Sequence, residues 1–217
     1  MSEPIRHVVC TRVAFRDEEL MMRYLEVSKE MFIPQIEGQS TKNFELALLT
    51  REEHVGILKG VFTMPFTPIF SIPEYFEYVI KKGFNIQTRH DIDDWMSPDY
   101  IGAIQKAYEE TIISYDRFLI QAQPIRVDFK TGVEEKMAAY TDKRTSMCLS
   151  LCQKEIKDHI WIENHGQMWQ IANHVVTLPA GYVKWIIHGD NITCRQKNHS
   201  DNAANEFIRK HKWDSQR

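Results

Sequence analysis

The sequence predicts an α/β fold, with a mixed central sheet of about six strands and helices on both faces. Through the first 115 residues, short apolar runs rich in β-branched residues alternate with segments whose apolar residues recur at helical spacing. This alternation is typical of largely parallel strands joined by helices. The second half is richer in short strands and loops. With 217 residues and no internal repeat, the chain suits one large domain.

The first strand and helix are predicted from the opening apolar segments. The run HVVCTRVAF (7–15) predicts a buried strand. Three acids at 17–19 suit the first turn of a helix, which we expect to continue through 20–36. Apolar residues recur there at helical spacing: Leu20, Tyr24, Val27 and Met31.

Further elements follow from capping residues and breakers. FELALL (44–49) predicts a second strand, and Thr50 is expected to open a second helix. VFTMPFTPIFSIP (61–73) contains three prolines and predicts a partly buried loop. The segment 73–83 predicts a helix ended by Gly83, and FNIQTRHD (84–91) a third strand.

Beyond residue 96, one more helix and several short strands are predicted. Ser97 followed by Pro98 is a typical N-cap and first helical residue for a helix over 98–112. FLIQAQPIRVDF (118–129) predicts two strand segments followed by a turn. The remaining apolar runs are SMCLSLCQ, HIWIEN, VVTLPAGYVKWIIHG and NITCR. We expect one domain over 1–195 and a polar tail over 196–217, either a peripheral helix or a linker to a further domain.

Composition excludes several classes of partner. The formal net charge is −3, so non-specific attraction to nucleic acid or an anionic membrane is not expected. No apolar run approaches the roughly 20 residues of a membrane span, and the start lacks a secretory signal pattern. The four scattered cysteines indicate buried free thiols in a reducing compartment, and the cytoplasm fits best. The glycine-rich motifs of P-loops and dinucleotide-binding folds are absent from the sequence.

The segment TRHDIDD (88–94) carries the strongest functional signal. Its three carboxylates, Asp91, Asp93 and Asp94, follow a predicted buried strand, where ligands bind in open α/β sheets. Thr11 and Arg12 end the first strand, and Thr50 follows the second, so all should lie at the same edge. Carboxylates suit Mg²⁺ or Mn²⁺ shared with substrate phosphates, and Arg12 and Arg89 suit the phosphates themselves. The alternative is a solvated loop near a helix N-terminus.

TRHDIDDWMSPDYI resembles the Asp-x-Asp segment of nucleotide-sugar glycosyltransferases of the GT-A fold. It is especially similar to the rhamnosyltransferase group, including capsid-modifying glycosyltransferase domains of large algal (chlorella) viruses. HVVCTRVAF and WIIHGDNIT (185–193) match the same group in the same order. The resemblance spans roughly residues 6 to 193 and implies a single GT-A-like, Rossmann-like domain. The chain departs from the group's pattern at His90 and Ile92, which puts the choice of donor in doubt.

The resemblance also implies roles for individual residues. Thr11 and Arg12 would lie against the nucleotide, and Asp91 against the ribose or donor. Asp93 would be the principal metal ligand, and Asp94 would hold neighbouring groups or contact the donor sugar. His188 would return to the diphosphate or the metal. The implied cofactor is Mn²⁺ or Mg²⁺, and the implied donor a UDP-sugar carrying rhamnose or glucose.

A general base for the acceptor is the remaining requirement. HIWIENHGQMW (159–169), as a strand leading to a loop, would place Glu163 and His165 on one side. The alternative is a surface pair among core tryptophans. The acceptor is expected to be a glycan or glycoprotein, such as a viral capsid protein, which would place the enzyme in the host cytoplasm. Two rival functions remain open, a non-catalytic nucleotide- or carbohydrate-binding module and a metal-dependent phosphohydrolase or nucleotidyltransferase.

Overall fold

A computed structural model describes residues 4–13, 18–128, 131–136, 148–163 and 165–187. The strands are β1 (His7–Arg12), β2 (Glu45–Leu49), β3 (Thr67–Ile69), β4 (Ile86–Arg89), β5 (Trp95–Met96), β6 (Arg117–Ala122), β7 (Ile125–Asp128), β8 (Glu134–Lys136), β9 (Leu149–Gln153), β10 (Val175–Leu178) and β11 (Val183–Ile187). The α-helices are α1 (Glu18–Glu30), α2 (Phe32–Glu37), α3 (Val55–Lys59), α4 (Ile72–Lys82) and α5 (Tyr100–Thr111).

The predicted α/β fold is confirmed, with a seven-stranded central sheet where about six strands were expected. Its order is β10-β6-β9-β4-β1-β2-β3. β1 pairs in parallel with both β2 and β4, β2 pairs in parallel with β3, and β10 with β6. β9 runs antiparallel to both of its neighbours, β4 and β6, which makes the sheet mixed.

Helices cover both faces of this sheet because its strands are apolar on both sides. Val9 and its neighbours in β2 and β4 pack in one buried cluster with residues of α1, α2 and α5. Val8 and Cys10, on the opposite face of β1, pack in a second cluster with Tyr75 and Val79 of α4. The alternation of successive β1 residues between two cores explains why the strand is an unbroken apolar run.

A smaller sheet lies beside the first, in the order β5-β11-β7-β8. β5 pairs antiparallel with β11, in register Lys184 with Trp95. β11 pairs in parallel with β7. The chain therefore leaves the large sheet at β4, turns through residues 90–94, and enters the small sheet at β5. We call residues 90–94 the acidic turn.

Several predicted boundaries need correction. The single helix predicted over 20–36 is two helices that break at Met31, because Pro34 has no N–H to donate to the carbonyl of Glu30. The predicted loop 61–73 contains β3, where Pro68 is tolerated because β3 pairs only with β2 in the described sheet. The predicted end of α4 is correct, since Gly83 adopts a left-handed φ of 69°.

Two predicted caps are wrong. The helical segment after β2 begins with a 3₁₀ turn at Glu52, and Arg51 precedes it as N-cap, so Thr50 does not open it. α5 begins at Tyr100 with Asp99 as its N-cap residue, two residues later than a Ser97 N-cap would give. Ser97 instead bonds to the residue just before β11: its backbone N–H donates to the carbonyl of Tyr182 at 2.8 Å.

The predicted strand over 159–164 is a series of turns over 159–163. Glutamine side chains, rather than a neighbouring strand, bind the backbone here: Gln87 of β4 accepts from Ile160 N at 3.1 Å and donates to Asp158 O at 3.0 Å. Gln153 of β9 also donates to Asp158 O, at 2.8 Å. We call residues 154–163 the Trp161 segment.

Among the described residues, Cys10, Cys148 and Cys152 are buried free thiols, as predicted for these three. Each helix in the same part of the chain is too short or too polar to span a lipid bilayer. The predicted domain boundary at 195/196, the tail and NITCR (191–195) lie outside the described residues.

Candidate functional site

The acidic turn lies at the carboxyl edge of the central sheet, next to the end of β1. The chain passes from β1 to β2 on one side and returns as β4 on the other, so the crevice between β1 and β4 is a topological switch point. Ligands of open α/β sheets bind in such crevices. Cys10 pairs with Arg89, and His90 N donates to Cys10 O at 3.2 Å, so Arg12 and Asp91 follow side by side.

The acidic turn is tightly bonded within itself. Asp94 N donates to Asp91 O at 3.2 Å, and His90 Nδ1 lies 2.7 Å from the same carbonyl. Burial alternates along the turn: Asp91 and Asp93 are partly exposed, whereas Ile92 and Asp94 are buried. Burial also lowers the pKa of His90 to about 4, which keeps its ring neutral.

Asp91 and Asp93 are the two carboxylates of the turn that reach solvent. Burial of its carboxyl group raises the pKa of Asp91 to about 6, although 27% of the side chain is exposed. Arg89 and Arg12 oppose this rise in the pKa of Asp91, and the like charge of Asp93 adds to it. Asp93 therefore lies close enough to Asp91 for the two carboxylates to repel each other.

Asp94 connects the acidic turn to the small sheet. Its Oδ1 accepts from Ile186 N of β11 at 3.2 Å, and the residue is 1% exposed. Its buried Oδ2 has no hydrogen-bond partner among the described residues. Burial, together with Asp93 and Asp91, raises the pKa of Asp94 well above its usual value. The geometry indicates that Asp94 positions the turn, and its role as a catalytic residue stays a prediction.

Arg89 lies between an aromatic ring and a carboxylate. Its guanidinium carbon is 4.0 Å from the centre of the Trp161 ring, and its Nε is 4.0 Å from Asp91 Oδ1. The Nε atom is buried and has no hydrogen-bond partner in the described part of the chain. Burial lowers the pKa of Arg89, Arg12 adds to this, and Asp91 acts in the opposite direction.

The other predicted nucleotide contacts differ in accessibility. Arg12 is exposed at the edge. Thr11 and Thr50 are 0% and 2% exposed, and their hydroxyl groups have no hydrogen-bond partner among the described residues. Both threonines lie below the surface of the crevice, so their contact with a nucleotide stays a prediction.

Of the predicted general bases, the structure describes the side chain of Glu163 only. Glu163 is partly exposed, two residues after Trp161. His165 begins a 3₁₀ helix (His165–Ile171), but its side chain lies outside the described residues, as does all of His188. Ile186, two residues before His188 in sequence, is bonded to Asp94.

Sequence reasoning missed the contribution of Gln87 and the Arg89–Trp161 pair. The signal was present as an alternation of polar residues in a buried strand, since Gln87 and Arg89 lie two apart and so share one face of β4. On the other face, Thr88 Oγ1 lies 2.7 Å from both His7 Nε2 and Ser150 Oγ, forming a buried polar row beneath the acidic turn.

The carboxylates fit a cation only if a substrate completes its coordination. No group of three metal-ligating side chains occurs among the residues that the structure describes. Asp91 and Asp93 offer two partly exposed carboxylates, whereas the Asp94 carboxylate is buried and its Oδ1 accepts from Ile186 N. Mg²⁺ in proteins is commonly bound by one or two carboxylates together with substrate phosphates. The donor set therefore suits a cation held jointly with a diphosphate.

Two cavities lie at the opposite, amino end of the sheet. They have volumes of about 560 and 400 Å³ and share Lys42, Phe44 and Glu45 in their linings. Their charged groups are paired internally: Lys42 Nζ donates to Glu37 O, and Lys82 Nζ lies 3.2 Å from Glu45 Oε2. The carboxyl edge is the better candidate, because two arginines, Arg12 and Arg89, meet the carboxylates of Asp91 and Asp93 there at the β1–β4 switch point.

The α/β fold of this chain is similar to that of proteins with solved structures. Among solved structures, S. aureus TarS 1–349 in complex with UDP-GlcNAc is similar, with a TM-score of 0.56 and 11% identity over 94% of this chain and 65% of that one. S. aureus TarS 1–349 alone has a TM-score of 0.52 and 10% identity over 84% and 60%. The chain thus spans less than two thirds of either structure.

At this level of identity the likeness shows the fold alone. No protein-family model matches the sequence. No curated protein sequence matches it either.

Proposed function

We propose that this protein is a metal-dependent glycosyltransferase that transfers a hexose or deoxyhexose from a UDP-sugar to a glycan or glycoprotein. The single observation that carries the proposal is the arrangement at the β1–β4 switch point. Two arginines, Arg12 and Arg89, flank two partly exposed carboxylates, Asp91 and Asp93. The fold agrees with it, because the similar TarS structure was solved with UDP-GlcNAc.

This arrangement suits a nucleoside diphosphate for electrostatic reasons. Carboxylates alone would repel a diphosphate, and guanidinium groups alone would hold it without a place for a cation. Together, Arg12 and Arg89 can bind phosphate oxygens while Asp91 and Asp93 hold a cation against the same group. When bound, Mn²⁺ or Mg²⁺ would neutralise the charge that grows on the leaving diphosphate as the glycosidic bond breaks.

The protein's own residues would do the remaining work. Asp94 fixes the acidic turn through Ile186 N, so the two exposed carboxylates are held in place before a donor arrives. Arg89 adds positive charge beside the leaving group. Glu163, in the Trp161 segment, is our candidate for accepting the proton of the acceptor hydroxyl, with His165 as the alternative.

Calorimetric titration with UDP tests the proposal, with Mn²⁺ and with excess chelator. We expect UDP to bind at least 10-fold more tightly with Mn²⁺, and Asp93→Asn to remove that gain while the circular dichroism spectrum is unchanged. Asp99→Asn is the matched control, because Asp99 is an exposed acid near the turn whose side chain makes no capping bond. UDP-glucose, UDP-rhamnose and UDP-GlcNAc then test the donor.

Three outcomes separate the rival functions. Equal UDP affinity with Mn²⁺ and chelator, shared by Asp93→Asn, would refute the metal site. Tight metal-dependent binding without turnover of any UDP-sugar over a broad acceptor panel would identify a binding module. Release of phosphate or pyrophosphate would identify a phosphohydrolase or nucleotidyltransferase.

A further inference from the structure

The Arg89 guanidinium lies over the ring of Trp161. Its carbon lies 4.0 Å from the centre of the Trp161 ring, a close cation–π contact. Its Nε has no hydrogen-bond partner among the described residues, and 4.0 Å to Asp91 Oδ1 is too long for a hydrogen bond. A stacked guanidinium keeps its N–H groups, which lie in the plane of the group, available for another acceptor.

Trp161 is itself fixed in place. Its Nε1 donates to Cys10 Sγ of β1 at 3.3 Å, and its backbone N–H donates to His159 Nδ1 at 3.2 Å. The backbone just before it is bonded to the side chain of Gln87, two residues from Arg89 on the same strand. The ring and the guanidinium it contacts are thus attached to the same two neighbouring strands, β1 and β4.

We infer that Trp161 is a positioning residue, which orients the Arg89 guanidinium so that its N–H groups bind the diphosphate of the nucleotide donor. This inference rests on the proposed function and specifies how Arg89 takes part in it. Arginine side chains lose considerable rotamer freedom when a ligand orders them. Because Trp161 orders Arg89 in advance, that loss is not incurred on binding.

The same geometry disfavours Trp161 as a platform for a sugar ring. One face of the indole is covered by Arg89, and its N–H is bonded to Cys10. The other reading of the contact is simple packing, in which Trp161 stabilises the fold and has no influence on donor binding. A set of variants separates these two readings.

Two substitutions of Trp161 separate its aromatic contact with Arg89 from its hydrogen bond to Cys10. Trp161→Phe keeps an aromatic face and loses the bond to Cys10, whereas Trp161→Leu loses the face. If Trp161 orients Arg89, Trp161→Leu should weaken UDP binding with Mn²⁺ about 3- to 30-fold, the range that a cation–π contact corresponds to, and Trp161→Phe by less than about 3-fold. In an Arg89→Gln background, the same Trp161→Leu change should alter UDP affinity less than about 2-fold.

A second measurement needs no ligand. The Nε–H signal of Arg89 in a ¹⁵N NMR spectrum should carry a ring-current shift in the wild type and in Trp161→Phe, and lose it in Trp161→Leu. Tyr115→Leu is the control, because Tyr115 stacks on His174 at 4.1 Å at the amino end of the sheet, far from Arg89. It should leave both the Arg89 signal and UDP affinity unchanged.

Failure of this inference differs from failure of the proposed function. An Arg89 signal that is the same in Trp161→Phe and Trp161→Leu, or a Trp161→Leu effect that persists undiminished in Arg89→Gln, would overturn the positioning role and leave packing. Absence of UDP binding by the wild type would overturn the proposed function, and the assignment of Arg89's ligand with it. The NMR comparison would then still decide whether Trp161 orders Arg89.

Discussion

Gln87→Met tests the attachment of the Trp161 segment to the central sheet. Methionine is unbranched, similar in length and apolar, so it can fill the fully buried site without making the hydrogen bonds. Two bonds disappear: the one from Ile160 N to Oε1, at 3.1 Å, and the one from Nε2 to Asp158 O, at 3.0 Å. Asp158 O keeps its bond from Gln153 Nε2 at 2.8 Å.

The expected loss in the free energy of unfolding depends on which polar groups Gln87→Met leaves without a hydrogen bond. Two net hydrogen bonds at about 0.5–1.5 kcal/mol each amount to about 1–3 kcal/mol. The carbonyl of Asp158 stays satisfied, but the buried N–H of Ile160 is left without its acceptor, which adds a desolvation cost. We therefore expect the free energy of unfolding to fall by about 2–3 kcal/mol, in the upper half of that range.

Urea unfolding followed by circular dichroism measures this loss, and hydrogen exchange reports on the Ile160 amide directly. UDP affinity should also fall, because a loosened segment orders Arg89 less well. Gln105→Met is the matched control: Gln105 Nε2 donates to Asn43 O at 2.7 Å at the amino end of the sheet. It should cost stability and leave UDP affinity unchanged. A loss below about 0.5 kcal/mol for Gln87→Met, with unchanged Ile160 exchange, would refute the reasoning.

Three further predictions concern the acidic turn and α4. In chelator, Asp91→Asn should become more stable than the wild type as the pH rises. The pKa of Asp91 is about 6 in the folded protein and 3.8 ordinarily, so the protonated carboxyl group favours the folded state. This contribution to the wild type's free energy of unfolding is complete below about pH 4 and is lost as the pH rises through 6. With 27% of the Asp91 side chain exposed, we expect a difference of about 1–2 kcal/mol at pH 7, and a flat difference between pH 4 and 7 in urea titrations would contradict it. Asp94→Ala should cost about 2 kcal/mol because Ile186 N loses its acceptor, whereas Asp94→Asn, which keeps that acceptor, should cost less than half as much by thermal denaturation. Gly83→Ala should cost about 1 kcal/mol through its φ of 69° and leave UDP affinity unchanged, and a neutral effect would show that the helix end relaxes.

The sequence predicted the elements whose patterns are local. β1 and β2 are buried on both faces, so their unbroken apolar runs identified them, and Gly83 marked the end of α4 through its left-handed backbone. The position of the acids beyond β4 followed from the same strand pattern, while their roles stay predictions. Pro34 shows that a local signal can also be overlooked, since it breaks a helix that the apolar spacing favours.

Elements that depend on distant partners could not be predicted in this way. The Trp161 segment has the composition of a strand, but its backbone groups are bonded to Gln87, more than 70 residues earlier, so no ladder forms. Burial of Asp94 likewise depends on Ile186, 92 residues later. A polar side chain in the middle of a buried strand, such as Gln87, is a signal that some distant backbone requires a partner.

The direction of β9 has a consequence for how this protein could be altered. Because β9 runs against its neighbours, it begins at the carboxyl edge, where Leu149 pairs with Arg89 of β4, and ends at the amino edge, where Gln153 pairs with Arg117 of β6. A peptide inserted just before Cys148 would therefore enter beside the acidic turn, whereas one inserted just after Gln153 would emerge at the far side of the sheet. Insertions at the two ends of this five-residue strand therefore form a matched pair, one beside the proposed site and one remote from it.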